Sequence, residues 1–83
     1  MPTVLRKDGF CVRIYPNDHL PSHVHVFKAD GEAKINLGNE TQRPTFVTIS
    51  AQMSNQNAAK ALKLVIEKQK FLLQKWREIH EQS

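Results

Sequence analysis

The sequence predicts an α+β domain, an antiparallel β-meander of about four strands covered on one face by a long C-terminal helix. Three observations carry this. Apolar residues alternate in Phe10-Val12-Ile14 and again in Val24-Val26, the period of a strand with one buried face. Two Asp-Gly pairs, Asp8-Gly9 and Asp30-Gly31, are the preferred residues of tight hairpin turns. From Asn57 to about Glu81 the apolar spacing becomes that of an amphipathic helix, with no Gly or Pro inside.

Taken in order, Asp8-Gly9 joins a short Thr3–Lys7 strand to a stronger one at Phe10–Tyr15. In the second strand Phe10, Val12 and Ile14 share one face, and Cys11, Arg13 and Tyr15 take the other. Pro16 to Ser22 is a loop, stiffened by two prolines and turned by Asn17-Asp18. His23–Ala29 and Glu32–Leu37 form the next hairpin. A turn centred on Asp30-Gly31 sets Val26 opposite Ile35, Val24 opposite Leu37, Phe27 opposite Lys34 and His25 opposite Asn36. Gly38 to Pro44 is a polar connection. Thr45–Ile49 is rich in β-branched residues and is a candidate extra strand. Ser54 and Asn55 are the best-placed N-caps for the helix. Its apolar stripe is Ala58, Ala61, Leu62, Val65, Ile66, Leu72, Leu73, Trp76 and Ile79. The stripe matches the sheet face made by Phe10, Val12, Ile14, Val24, Val26, Ile35 and Leu37, so packing one on the other buries both.

The whole chain, 1–83, reads as one domain, with the sheet and a histidine motif in 1–49 and the helix in 55–81. At 40% apolar and 24% charged residues it is ordinary for a folded domain and excludes a disordered one. Cys11 is the only cysteine, so no internal disulfide forms and a reducing compartment is expected. The start reaches Arg6-Lys7-Asp8 too soon for a signal peptide, and no run approaches membrane-spanning length. A cytoplasmic location, away from membranes, is the expectation. The formal net charge of +4 favours an acidic partner, RNA or protein.

The chemistry-bearing residues concentrate in Tyr15 to Phe27. Three of the four histidines stand there as His19, His23 and His25. Side chains at i and i+2 of a strand leave one face ~7 Å apart. With Val24 and Val26 under the helix, His23 and His25 point away from it and share a surface with Arg13, Tyr15, Lys34 and Asn36. Three chemistries can use this face. His23 and His25 can act as acid and base, with Arg13 and Tyr15 beside them and no cofactor. Lys34, Asn36 and Arg13 can bind an anion or RNA without catalysis. His19, His23, His25 and Asp18 can ligate a divalent metal such as zinc. The residues leave open whether the protein is an enzyme. Cys11 reads as a small apolar residue. On the helix, Gln69 interrupts the apolar stripe and needs hydrogen-bond partners, in the sheet or a neighbouring chain, and His80 is expected in solvent beyond the sheet edge. Leu64 and Phe71 align opposite the stripe with Lys60, Lys68 and Lys75 beside them. They are a candidate interface for a second copy or a small acidic partner.

Met1-Pro2-Thr3-Val4-Leu5, Asn17-Asp18-His19-Leu20-Pro21-Ser22-His23-Val24-His25-Val26, Asp30-Gly31-Glu32-Ala33-Lys34 and Leu72-Leu73-Gln74-Lys75-Trp76 resemble a family of small bacterial and cyanobacterial proteins. The family is catalogued as a domain of unknown function, with a motif similar to N-[DE]-H-x-P-P-H-x-H. Ser22 stands where that motif has its second proline. The resemblance implies Asp18, His19, His23 and His25 as site residues. It also implies a gene beside a second small protein, in an arrangement similar to toxin–antitoxin operons. On this reading the chain belongs to a toxin–antitoxin-type or stress-response pair and binds or acts on RNA or another anion through its histidine face. The alternatives are a non-enzymatic protein-binding adaptor and a metal-binding regulator.

Overall fold

A computed structural model describes residues 3–81. Five antiparallel strands, β1 (Thr3–Lys7), β2 (Phe10–Arg13), β3 (His23–Lys28), β4 (Gly31–Asn36) and β5 (Thr45–Ile49), pair in sequential order. Two helices follow, α1 (Asn55–Glu67) and α2 (Gln69–His80). The class is α+β as expected, with Thr45–Ile49 a full edge strand and the helix divided in two. No helix among the described residues is long and apolar enough to cross a membrane.

The first hairpin follows its turn chemistry. Asp8 and Gly9 both take positive φ, 53° and 82°, as a type I′ turn requires. Lys28 closes the turn from the next strand: its ammonium donates to the Asp8 carbonyl at 2.7 Å and lies 4.9 Å from the centre of the Phe10 ring.

The second hairpin departs from the expected register by two residues. Val26 faces Ala33, Val24 faces Ile35, Phe27 faces Glu32 and His25 faces Lys34, and the hairpin closes at Lys28 and Gly31. The turn residues are therefore Ala29 and Asp30, with Ala29 taking the positive φ of 54°. Gly31 is needed elsewhere. It is buried in β4, where a Cβ would stand 2.7 Å from the Met53 Cα. Close approach of the chain after β5 takes the glycine out of the turn. A shift of two keeps every side chain on its expected face.

All seven apolar residues assigned to the inner face are buried, and Ala33 and Met53 join them. Ser54 caps α1, its hydroxyl accepting from the Asn57 N–H at 3.1 Å. The core residues of the helices are Ala58, Ala61, Leu64, Val65, Leu72 and Trp76, while Ile66 is exposed. Leu64 is thus turned into the chain's own core, near Phe10 of the first hairpin, with which it lines one cleft. Phe71 stays exposed, so the proposed Leu64–Phe71 seam does not exist as a paired surface.

The helices break at Lys68, whose φ of −107° and ψ of 17° leave the helical region, although its N–H still bonds to Leu64 O at 3.0 Å. The next residue anchors the bend. The Gln69 amide nitrogen is shared among the carbonyls of Leu37, Asn39 and Gln42, at 2.7, 3.0 and 3.1 Å. The amide in the apolar stripe therefore fastens the helix to the chain leaving β4, within the monomer.

Gln69→Leu strips these carbonyls of their side-chain donor and is expected to destabilise the fold by about 1–3 kcal/mol. Gly31→Ala is expected to cost a similar ~1–3 kcal/mol by overpacking against Met53. Urea denaturation checks both, and unchanged midpoints would contradict the two roles.

Candidate metal centre

The site is built from a turn, a strand end and a helix end. Tyr15-Pro16-Asn17-Asp18 is a β-turn closed by the Asp18 N–H on the Tyr15 carbonyl at 3.0 Å, with proline at its favoured second position. The Asp18 side chain folds back, and its Oδ2 accepts from the Tyr15 N–H at 3.3 Å. The loop passes through a cis Leu20–Pro21 bond and enters β3, where the Ser22 carbonyl accepts from the Leu37 N–H at 2.9 Å.

His23 and His25 leave the same face of β3 and converge on that carboxylate. Each Nε2 lies 3.3 Å from Asp18 Oδ2. The ligand atoms of Asp18, His23 and His25 all lie within 4.8 Å of one another. The opposite ring nitrogens are already engaged: His23 Nδ1 with the Pro21 carbonyl at 2.9 Å, and His25 Nδ1 with Glu32 Oε2 at 3.0 Å. Both partners are acceptors, so each Nδ1 carries the hydrogen. In the neutral ring Nε2 is then a lone pair. His25 Nε2 is within hydrogen-bonding distance of Asp18 Oδ2. With both rings neutral, the two imidazole lone pairs and a carboxylate oxygen face one point, a donor set that suits a cation.

The cluster is shielded. His23 is 5% exposed. Its ring packs 5.2 Å from His25 and 5.3 Å from Trp76 of α2, centre to centre. Tyr15 meets His25 edge-on at 4.9 Å. The expected sidedness holds for the valines, which are fully buried, but His23 is not on an open face, because α2 passes that end of the sheet and brings Trp76 against it. His80 is not free in solvent either. It stacks on Trp76 at 3.8 Å, and its Nδ1 and Nε2 reach the carbonyls of Trp76 and Asp18, at 2.9 and 3.1 Å. The end of α2 thereby holds the Asp18 loop.

The other expected residues divide. His19 is exposed and outside the ligand cluster. It lines a cleft of about 340 Å³ with Asp18, His23, Lys34 and Asn36. Lys34 pairs across the sheet with His25, and Asn36 with His23. Arg13 also pairs with His25, but its guanidinium lies 4.7 Å above the Phe27 ring, along β3 from the cleft. Tyr15 and then Cys11 raise the guanidinium pKa further above its ordinary value. Glu32, which orients His25, was missed in the sequence, although it shares the outer parity of Lys34 and Asn36. Trp76 and His80 carried no local signal, since only the fold brings them there.

The family model described as domain of unknown function (DUF4160) matches residues 9–77. The chain belongs to this family. The matched span contains Asp18, His23, His25, Glu32 and Trp76, and His80 lies beyond it. No curated protein and no solved structure matches the chain.

Cys11 also departs from its reading as an inert apolar residue. Burial pushes its thiol up, but the Thr3 hydroxyl, the Arg13 guanidinium and the charge on Arg6 together outweigh burial and lower the pKa. A lowered pKa gives more thiolate at a given pH. Alkylation by iodoacetamide is therefore expected to rise with a midpoint below that of a free cysteine, and Arg13→Gln should move the midpoint up. A wild-type midpoint at or above the free value would contradict this environment.

Proposed function

We propose that the protein is a mononuclear metal-binding module, holding zinc or a similar first-row divalent ion on Asp18 Oδ2, His23 Nε2 and His25 Nε2. One observation carries the reading: both Nε2 atoms stand 3.3 Å from the same carboxylate oxygen. Charge-assisted N–H···O bonds close to about 2.7–2.9 Å, so these separations are long for imidazolium–carboxylate pairs. Ligand atoms at roughly 2.0–2.1 Å around a tetrahedral zinc are about 3.3–3.4 Å apart. The outer contacts fit as well. Metal-bound histidines donate their other N–H to a carbonyl or carboxylate, the roles that Pro21 and Glu32 fill here.

Three protein ligands leave a further position open, the arrangement of sites that bind and polarise an oxygen ligand rather than merely brace a fold. Asp18 and His23 both line a cleft, through which a ligand would reach that position. If the chain works in a toxin–antitoxin-type pair, as the resemblance implies, this centre is where RNA would be engaged.

Titrating metal-free protein with Zn²⁺ by calorimetry is expected to show one equivalent bound. Glu32→Gln should weaken binding by roughly 10–100-fold as an outer partner, and Asp18→Ala, His23→Ala or His25→Ala should weaken it more. His19→Ala should leave it unchanged. The reading fails if the folded wild-type protein takes up no zinc, or if His19→Ala is the variant that loses it.

A further inference from the structure

We infer that the open side of this centre takes a phosphate ester, one oxygen on the ion and the others against Lys34, Asn36 and His19. The inference rests on the metal reading above and adds the class of ligand. The cleft that reaches His23 and Asp18 is lined on the β4 side by Lys34 and Asn36 and on the loop side by His19. Cross-strand pairing puts Lys34 beside His25 and Asn36 beside His23, and both side chains line the same cleft as His23 and Asp18. Lys34 makes no ion pair among the described residues. Among the described residues Asp18 is the only carboxylate lining the cleft, and the metal reading assigns it to the ion. Glu32 is engaged at the far nitrogen of His25.

The cleft thus offers a divalent ion, an ammonium, an amide and an imidazole around one opening. A tetrahedral oxyanion with several oxygens uses all of them, whereas a carboxylate has only two oxygens to offer. The ester's organic part also has a place. Leu20 and Val47 line the cleft and are 78% and 45% exposed, an apolar rim on each side of a polar centre. About 340 Å³ falls in the size range of small-molecule sites and admits a nucleotide.

The test uses the full chain loaded with Co²⁺, whose visible spectrum reports the ligands of the ion. Adenosine 5′-monophosphate is expected to shift that spectrum and to bind more tightly than inorganic phosphate, and acetate at equal concentration should leave the spectrum unchanged. Lys34→Gln should weaken nucleotide binding by about tenfold or more while still taking up Co²⁺. Lys34→Met, which keeps the packing of the stem, should behave the same. A cobalt-loaded wild type whose spectrum ignores the nucleotide and phosphate, or lysine variants that bind nucleotide as well as wild type, would overturn the inference and leave the metal reading standing. Failure to take up Co²⁺ at all would overturn both.

Discussion

The Asp18 Oδ2 atom is the point on which the site depends. It accepts the Tyr15 N–H and faces the Nε2 atoms of both His23 and His25. Two rings on one strand would normally diverge toward solvent. Here each is pinned from behind, by Pro21 and Glu32, and aimed at the same oxygen. On the proposed metal reading, this convergence is preorganisation for a cation.

The rest of the fold supports that point from outside. The turn through Pro16 sets where Asp18 falls, and the pairing of Ser22 with Leu37 sets where β3 begins. Trp76 backs the His23 ring, and His80 ties the Asp18 carbonyl to the end of α2. The helix reaches this end of the sheet because Gln69 fastens it to the carbonyls of Leu37, Asn39 and Gln42 after its bend at Lys68. A residue that looks like a defect in an apolar stripe is thereby part of what brings Trp76 to the histidines.

Much of this was legible in the sequence. Alternation assigned Val24 and Val26 to the core and His25 to the other face, and Asp8-Gly9 marked a turn the chain does make. Asp30-Gly31 misled because a glycine serves close packing as readily as positive φ, and the contact with Met53 is not local. The error was two residues, so faces survived while partners changed, and Glu32 went unnoticed. Leu64 was misplaced because helical spacing gives the stripe but not how wide a surface covers it. His80 and Trp76 are separated from His23 by the length of the chain, and the break at Lys68 has no Gly or Pro to announce it. Arg13 shares the parity of the site, yet the Phe27 ring holds its guanidinium away from the cleft. A strand pattern says which face a side chain leaves, not where its far end lies.

The most direct test of convergence on a cation is diffraction at the zinc absorption edge from crystals grown with Zn²⁺. The account predicts one anomalous peak at about 2.0–2.2 Å from Asp18 Oδ2, His23 Nε2 and His25 Nε2, with both Nδ1 atoms still on Pro21 and Glu32. A peak on the Nδ1 atoms or on His19, or no peak while both rings keep their contacts to Asp18, would contradict it.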